Sequence, residues 1–251
     1  MVRCANVFIG LCFVLTLFRD VVCAIPPYIK VCSKHDPNIN DCIADSINQL
    51  REKLTAGIPE LEVPPLEPFK LNEIRLLRGP NAARLDINLT DIQVWGPSKF
   101  VVRDLKANTD DLSFNFKVAF PSLTFKGKYQ IDAKLLLLEL SGEGDLEGIF
   151  DNYDSDTFMK AQKISRNDNV YLHFDKMKIN IRIGNAKINL KNLFNGDRLL
   201  GQISNDIINT NSGLLLEEIK PELEKSLSTV LTNSANKIVE TFTYEELFPE
   251  K

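Results

Sequence analysis

Two cysteines, two histidines and a few paired carboxylates are the groups in this chain whose types and spacing could do chemistry. Cys32 and Cys42 bracket His35, and His173 stands far from them. Three or four converging ligands are needed to hold zinc; this set suits a disulfide with a surface histidine beside it better than a metal. Triad chemistry needs a histidine beside an activated nucleophile, and no serine-elbow pattern accompanies either histidine. Gly142-Glu143-Gly144 lacks the glycine spacing and helix context of a dinucleotide loop and reads as a turn. Asp110-Asp111 and Glu217-Glu218 read as solvated charge. The expectation is a protein with no catalytic residue, no cofactor and no metal. One modification signal stands out: Asn88-Leu89-Thr90, an N-glycosylation tripeptide.

The compartment follows from the first 24 residues. Met1 and Arg3 lead into a mostly apolar run from Val7 to Phe18, then Val22-Cys23-Ala24 ahead of Ile25-Pro26-Pro27. That is the layout of a secretory signal peptide. Its core is too short for a membrane span, which needs about 20 apolar residues. Cleavage after Ala24 is expected, leaving one domain over residues 25–251, secreted into an extracellular fluid. Cys4, Cys12 and Cys23 leave with the signal, so Cys32 and Cys42 have only each other as intramolecular partners in an oxidising compartment. Loss of Arg3, Arg19 and Asp20 takes the formal charge from -4 to -5. A mildly acidic protein has no general attraction to nucleic acid.

The elements that would position these groups read as follows. Asp41 caps a helix beginning near Cys42, with the stripe Ile43, Ile47, Leu50 and Leu54 and a stop at Gly57 and Pro59. A proline-rich crossing follows to Pro68. From Phe69 to about Leu193 the rhythm is two. Leu85, Ile87 and Leu89 face one way, with Asn88 outward, where a glycan would fit. Phe114, Phe116, Val118 and Phe120 share a parity, and Pro121 closes that strand. Residues 141–148 read as a larger turn, and Gly184-Asn185 as punctuation between Ile179, Ile181, Ile183 and the following Ala186, Ile188, Leu190. From Leu199 onward the period becomes helical, through Leu216, Ile219, Leu223, Leu227 and Leu231, with interruptions at residues 211–213 and Pro221. Either two consecutive helices or one bent helix is expected.

These pieces, in this order, resemble the insect takeout and juvenile-hormone-binding protein family. The residues that carry the resemblance are Cys32 through Cys42, Gly57-Ile58-Pro59-Glu60-Leu61, Pro64-Pro65-Leu66-Glu67-Pro68, Tyr129-Gln130-Ile131-Asp132-Ala133-Lys134, Leu193-Phe194-Asn195-Gly196-Asp197, Leu200-Gly201 and Leu247-Phe248-Pro249. Glu67 stands where the family usually has aspartate, and Ser212 where an aromatic is common. The resemblance implies an α+β fold: an elongated, highly curved antiparallel sheet wrapped around a long C-terminal helix, with a short N-terminal helix. It also implies an internal tunnel for a small hydrophobic ligand, such as a juvenile-hormone-like terpenoid, a fatty acid or another long-chain lipid. Roles in circadian output, feeding or chemosensation are implied in the same way. Residues whose phase turns them toward such a tunnel are Phe69, Leu85, Ile87, Leu89, Phe114, Phe116, Val118, Phe120, Phe125, Leu135, Leu137, Ile179, Ile181, Leu227 and Leu231.

Composition by itself favours a packed core over a lined cavity, and it is the resemblance that reverses this. Two alternatives to the carrier therefore stand: a secreted interaction protein with a filled core that acts through a receptor, and a membrane-surface lipid-transfer protein. The second would use Lys176, Lys178, Arg182, Lys187 and Lys191 as a basic patch on the wet face of the sheet. The expected partners are the ligand and a receptor or membrane surface, with no stable membrane insertion, and the expected state is a monomer.

Overall fold

The computed structural model describes residues 25–78, 85–135 and 138–250; the side chains of Arg78, Leu135 and Leu138 are not described. Residues 1–24, expected to be a signal segment, and Leu137 lie outside the described residues. The elements run α1 (Ile39–Gln49), α2 (Arg51–Ala56), β1 (Phe69–Arg78), β2 (Leu85–Trp95), β3 (Val101–Asn108), β4 (Ser113–Leu135), β5 (Leu138–Arg166), β6 (Asn169–Phe174), β7 (Lys178–Leu190), α3 (Arg198–Thr210), α4 (Ser212–Val239) and α5 (Tyr244–Leu247). This is the expected elongated, curled antiparallel sheet packed against C-terminal helices, with a short helical N-terminus.

β4 and β5 form the spine. β4 pairs along its whole length with β5, from Leu135 opposite Leu138 to Ser113 opposite Lys160. At a strand rise of about 3.3 Å, the 29 residues of β5 would span roughly 95 Å if straight. No other strand is that long, so the flanks are shared. β2 borders the lower half of β4 and β3 the upper half; β7 borders the middle of β5, from Leu146 to Phe158, and β6 its end.

Three sequence breaks prove to be interior to strands. Pro121 does not close its strand, Gly184 lies within β7, and the glycines from Gly142 to Gly148 sit in mid-β5 rather than in a turn. Pro121, Asn152 and Gly184 occupy one row across β4, β5 and β7, because Phe120 opposes Tyr153, which opposes Ile183, while Ser122 opposes Asp151, which opposes Asn185. At this row the inward parity reverses on all three strands. Below it Leu123, Phe125, Leu146, Ile188 and Leu190 are buried; above it Phe114, Tyr153, Ser155, Thr157 and Ile181 are. Asn152 takes a left-handed φ of 55° to make the change. A one-residue phase change on a single strand would turn half of its apolar residues to solvent. Changing all three in one row keeps the concave face apolar from end to end. β2 makes the same change at Asp91 (φ 52°), where its register with β4 shifts between Thr90 and Gln93.

The helix α1 begins at Ile39, earlier than Asp41 suggests, and Asp41 lies in its first turn. The entry is instead braced by Asp36, whose Oδ1 accepts from the Asn38 N–H at 2.8 Å. Gly57 ends α2 at φ 86°. Cys32 and Cys42 are joined, with Cα atoms 5.9 Å apart, a closure worth about 2–4 kcal/mol. The closed loop meets the C-terminal tail, where the Lys34 N–H donates to Pro249 O at 3.2 Å.

α3 and α4 run in succession along the free edge of β7, separated at Asn211. An edge strand leaves alternate N–H and C=O groups unpaired. Here side chains at four-residue spacing supply the missing neighbour. Asn205 and Asn209 each accept from and donate to one backbone unit: Leu190 at 2.9 and 3.0 Å, and Ile188 at 2.8 Å both ways. On α4, Glu224 accepts from the Ile181 N–H (2.8 Å), Ser228 donates to Met177 O, Thr232 accepts from the Met177 N–H (2.9 Å), and Asn236 brackets Phe174 at 2.7 and 3.0 Å. The pitch matches: four helical residues advance about 6.0 Å and two strand residues about 6.6 Å. The adjoining face of α4 is then free to present Leu215, Ile219, Leu223, Leu227 and Leu231 to the sheet.

Candidate ligand site

Between the concave sheet and α4 lies a cavity of about 480 Å³. Its existence explains an otherwise odd burial pattern. Phe116, Val118 and Phe120 face inward, yet they remain half-buried rather than buried, because their inner surfaces border space. Of the residues whose phase pointed to a tunnel, Phe69, Ile87, Leu89, Phe116, Val118, Phe120, Phe125, Ile179, Leu227 and Leu231 line it.

Three others do not. Leu85 is consumed in the core cluster beneath β1 and β2. Phe114 packs edge-on against Phe174, ring centroids 5.8 Å apart. Ile181 is 2 % exposed and packs with Leu123 and Tyr153. Each has the right parity, but strand curvature brings a neighbour over it. The Leu135 side chain and Leu137 lie outside the described residues.

Sequence reasoning passed over several wall residues. Ile47 and Leu54 bring α1 and α2 to the cavity, and Phe150 and Met159 enter from β5. The β5 residues were hidden by the parity change at Asn152. Tyr153, Ser155 and Thr157 were missed for the same reason; their signal is the alternation in Tyr153-Asp154-Ser155-Asp156-Thr157, with the acids turned outward.

No charged residue lines the cavity among the described residues; its polar side chains are the hydroxyls of Tyr129, Tyr153, Ser155, Thr157 and Ser234. Tyr129 Oη donates to Lys191 O at 2.7 Å, and burial pushes its phenol up to about 12. Burial also raises the Tyr153 phenol, against a hydrogen bond with Ser155 that pulls it down, and the Glu224 carboxylate adds to the rise. Both phenols therefore stay neutral near pH 7.

The other candidate groups lie away from this space. His35 and His173 pair with Glu250 and Glu240, at 3.1 and 2.6 Å, and neither borders the cavity. Among the described residues no three of His, Cys, Asp and Glu could hold a metal ion. Among the described residues, two of the five wet-face cations are ion-paired. Arg182 pairs with Asp154 and Asp156, which hold its guanidinium well charged, and Lys191 pairs with Glu147 at 2.9 Å. Asn88 is half-buried in β2, opposite Arg75 and Gln130, with its Oδ1 enclosed and unbonded among the described residues. Glu67 fastens the proline-rich crossing to the turn after β2: its carboxylate accepts from Gly96 N (2.9 Å), Ser98 N (3.0 Å) and Ser98 Oγ (2.7 Å). Among the described residues no helix is long and apolar enough to cross a membrane.

Comparison with known proteins agrees with this architecture. The family model for haemolymph juvenile hormone binding protein (JHBP) matches residues 9–249. The circadian clock-controlled protein daywake of Drosophila melanogaster is 24% identical over 98% of this chain and 96% of its own length. Daywake of Drosophila yakuba is 25% identical over 89% and 88%. Takeout 1 of Epiphyas postvittana, a crystal structure, superposes with a TM-score of 0.77 at 17% identity, covering 88% of this chain and 100% of that one.

Proposed function

The chain belongs to the haemolymph juvenile hormone binding protein family, and from that premise we propose that it is a secreted carrier of a small hydrophobic molecule. The cavity between sheet and α4 would serve as the ligand tunnel. The observation that carries this reading is a space of about 480 Å³ walled by apolar side chains and uncharged hydroxyls, a size and character suited to one lipid-like molecule. The mechanism is enclosure, with no bond made or broken. Candidate ligands are a juvenile-hormone-like terpenoid, a fatty acid or another long-chain lipid. The likeness to daywake supports a place in circadian output.

Magnitudes bound the affinity. Burial of fifteen methylenes contributes about 12 kcal/mol at ~0.8 kcal/mol each. Immobilisation and imperfect fit lower this, and drug-sized ligands average about 0.3 kcal/mol per heavy atom, near 6 kcal/mol for a twenty-atom molecule. Dissociation constants between tens of micromolar and nanomolar follow. The test is thermal unfolding of the mature protein against fatty acids, alcohols and terpenoids of increasing length. A midpoint that climbs with ligand concentration supports the carrier; ligand-independent unfolding throughout would favour a filled-core interaction protein.

One observation favours an added membrane contact over the basic patch. Leu199, Leu200 and Ile203 on α3 and Leu214 on α4 are 45–69% exposed, while the polar face of α3 is turned onto the β7 edge. Binding to neutral vesicles that survives high salt and is lost in Leu199→Ser/Leu200→Ser would support that contact; binding only to anionic vesicles at low salt would favour the lysines.

A further inference from the structure

The outer face of the sheet carries a depression of about 470 Å³ where β2 slips its register with β4. Thr90 opposes Lys128 and Gln93 opposes Lys126, so Asp91 and Ile92 together face Gly127. A bulge of this kind bends its strand and re-aims the side chains beside it. Gly127 permits the close approach: a Cβ there would lie 3.0 Å from Thr90 O and 3.3 Å from Ile92 Cα. Leu71, Ile92 and Gly127 line the depression, and every other lining side chain is polar or aromatic.

Three of those side chains are lysines. Lys70 on β1, Gln93 on β2 and Lys126 on β4 share one row. With strands about 4.8 Å apart, the two lysine backbones stand roughly 10 Å apart across Gln93, and Lys128 follows Lys126 about 6.6 Å along β4. Among the described residues none of these three ammoniums has an ion pair or hydrogen bond. Glu147, opposite Lys126 on β5, feels its charge, but that carboxylate is bonded to Lys191 at 2.9 Å and Asn189 at 3.1 Å. Asp91 and Asp145 also border the depression. Three ammoniums against two carboxylates leave it positive, on a chain whose formal charge is -4.

The rest of the lining narrows the ligand. Trp95, the chain's only tryptophan, lies two residues beyond Gln93 on the same face and is exposed. The negative face of an indole attracts the polarised C–H groups of a sugar ring. Asn72 and Gln93 each offer donors and an acceptor to neighbouring hydroxyls, and the two carboxylates accept from others. The ammoniums add point charges that a neutral sugar would not use and a sulfate group would. A bare anion would leave the indole and the amides idle, and an acyl chain would meet polar walls.

Independently of the carrier reading, we propose that this depression binds a sulfated sugar, with Lys70, Lys126 and Lys128 holding the sulfate and Trp95 the ring. The lipid would occupy the inside of the sheet and the glycan its outside.

Trp95 makes the site its own reporter, so the experiment is a titration of the mature protein followed by tryptophan fluorescence. A fully sulfated heparin disaccharide changes the Trp95 emission saturably at low salt, and its binding weakens as salt rises to about 0.5 M. The desulfated disaccharide and inorganic sulfate each bind at least about tenfold more weakly. Lys126→Ala/Lys128→Ala weakens the sulfated disaccharide about tenfold. Lys176→Ala/Lys178→Ala removes the same charge far from the depression, since Lys178 opposes Phe158 while Lys126 opposes Glu147, roughly 36 Å back along β5; it leaves binding within about twofold. Trp95→Ala, followed by calorimetry, binds the disaccharide no better than inorganic sulfate. An unchanged Trp95 spectrum, equal losses in the two lysine pairs, or inorganic sulfate binding as well as the disaccharide would overturn the site and leave the lipid cavity untouched.

Discussion

Replacing Asn209 by alanine tests whether α3 stands in for a missing β-strand. The side-chain amide bonds Ile188 N–H and C=O at 2.8 Å each, and Ile188 is 7% exposed. Alanine leaves both backbone groups without a partner at a site where water has little access. Each orphaned group costs about 1–3 kcal/mol. Partial hydration of the opened edge lowers the sum, so a loss of about 3 kcal/mol is expected, or roughly 6–12 °C in Tm for a chain of this size. Urea unfolding followed by circular dichroism measures the loss, and hydrogen exchange at the Ile188 amide locates it. Asn209→Asp sharpens the test. One carboxylate oxygen still accepts from the Ile188 N–H, but the other faces the Ile188 carbonyl where an N–H stood before. That variant should be at least as destabilised as alanine near neutral pH and should recover on acidification, when the carboxyl gains a proton to donate. An Asn209→Ala protein within about 0.5 kcal/mol of wild type, with unchanged exchange at Ile188, would refute the account of how the sheet edge is closed.

Other perturbations probe the hollow interior and the close contacts around it. Phe116→Ala should cost clearly less than the ~3–5 kcal/mol of a fully packed phenylalanine, and Phe116→Trp should weaken binding of the longest ligands more than that of short ones; denaturant unfolding and a ligand-length series check both. Gly148→Ala should destabilise by about 1–3 kcal/mol or more, because the new methyl would overlap the Phe125 ring and sit 2.5 Å from Lys187 O; a fully stable variant by calorimetry would contradict this packing. N-glycan removal should shift the mass of protein secreted from insect cells, with Asn88 the modified residue; an unmodified Asn88 peptide would dismiss the glycan alone.

How much of this was written in the sequence depends on the range of the signal. The disulfide was legible because Cys32 and Cys42 are the only pair left once the first 24 residues are read as a signal. Strand alternation was legible because it is local: Phe114, Phe116 and Val118 state their own phase. The parity change was not, since it needs Asn152 in a left-handed conformation opposite Pro121 and Gly184, and nothing near Asn152 marks it. The strand breaks read at Pro121 and Gly184 were two-thirds of that row, seen as separate endings. On α4 the apolar stripe drew attention from the polar one beside it. Glu224, Ser228, Thr232 and Asn236 recur every four residues, but their task appears only once an unpaired strand edge lies alongside. Hollowness was the least legible property, because Phe116 bordering a cavity and Phe114 packed against Phe174 have the same residue type, strand and phase.

The central claim is that a hydrophobic ligand occupies the space between the concave sheet and α4. A long-chain lipid alcohol bearing a photoreactive diazirine on its chain, irradiated in complex with the purified mature protein and mapped by peptide mass spectrometry, tests it most directly. The account predicts adducts on inward residues of β4, β5 and α4, with Phe116, Phe150 and Leu227 among them, suppressed by excess unlabelled alcohol. Competable adducts confined to the outer face of the sheet or to the exposed leucines of α3, with none on the cavity wall, would contradict it.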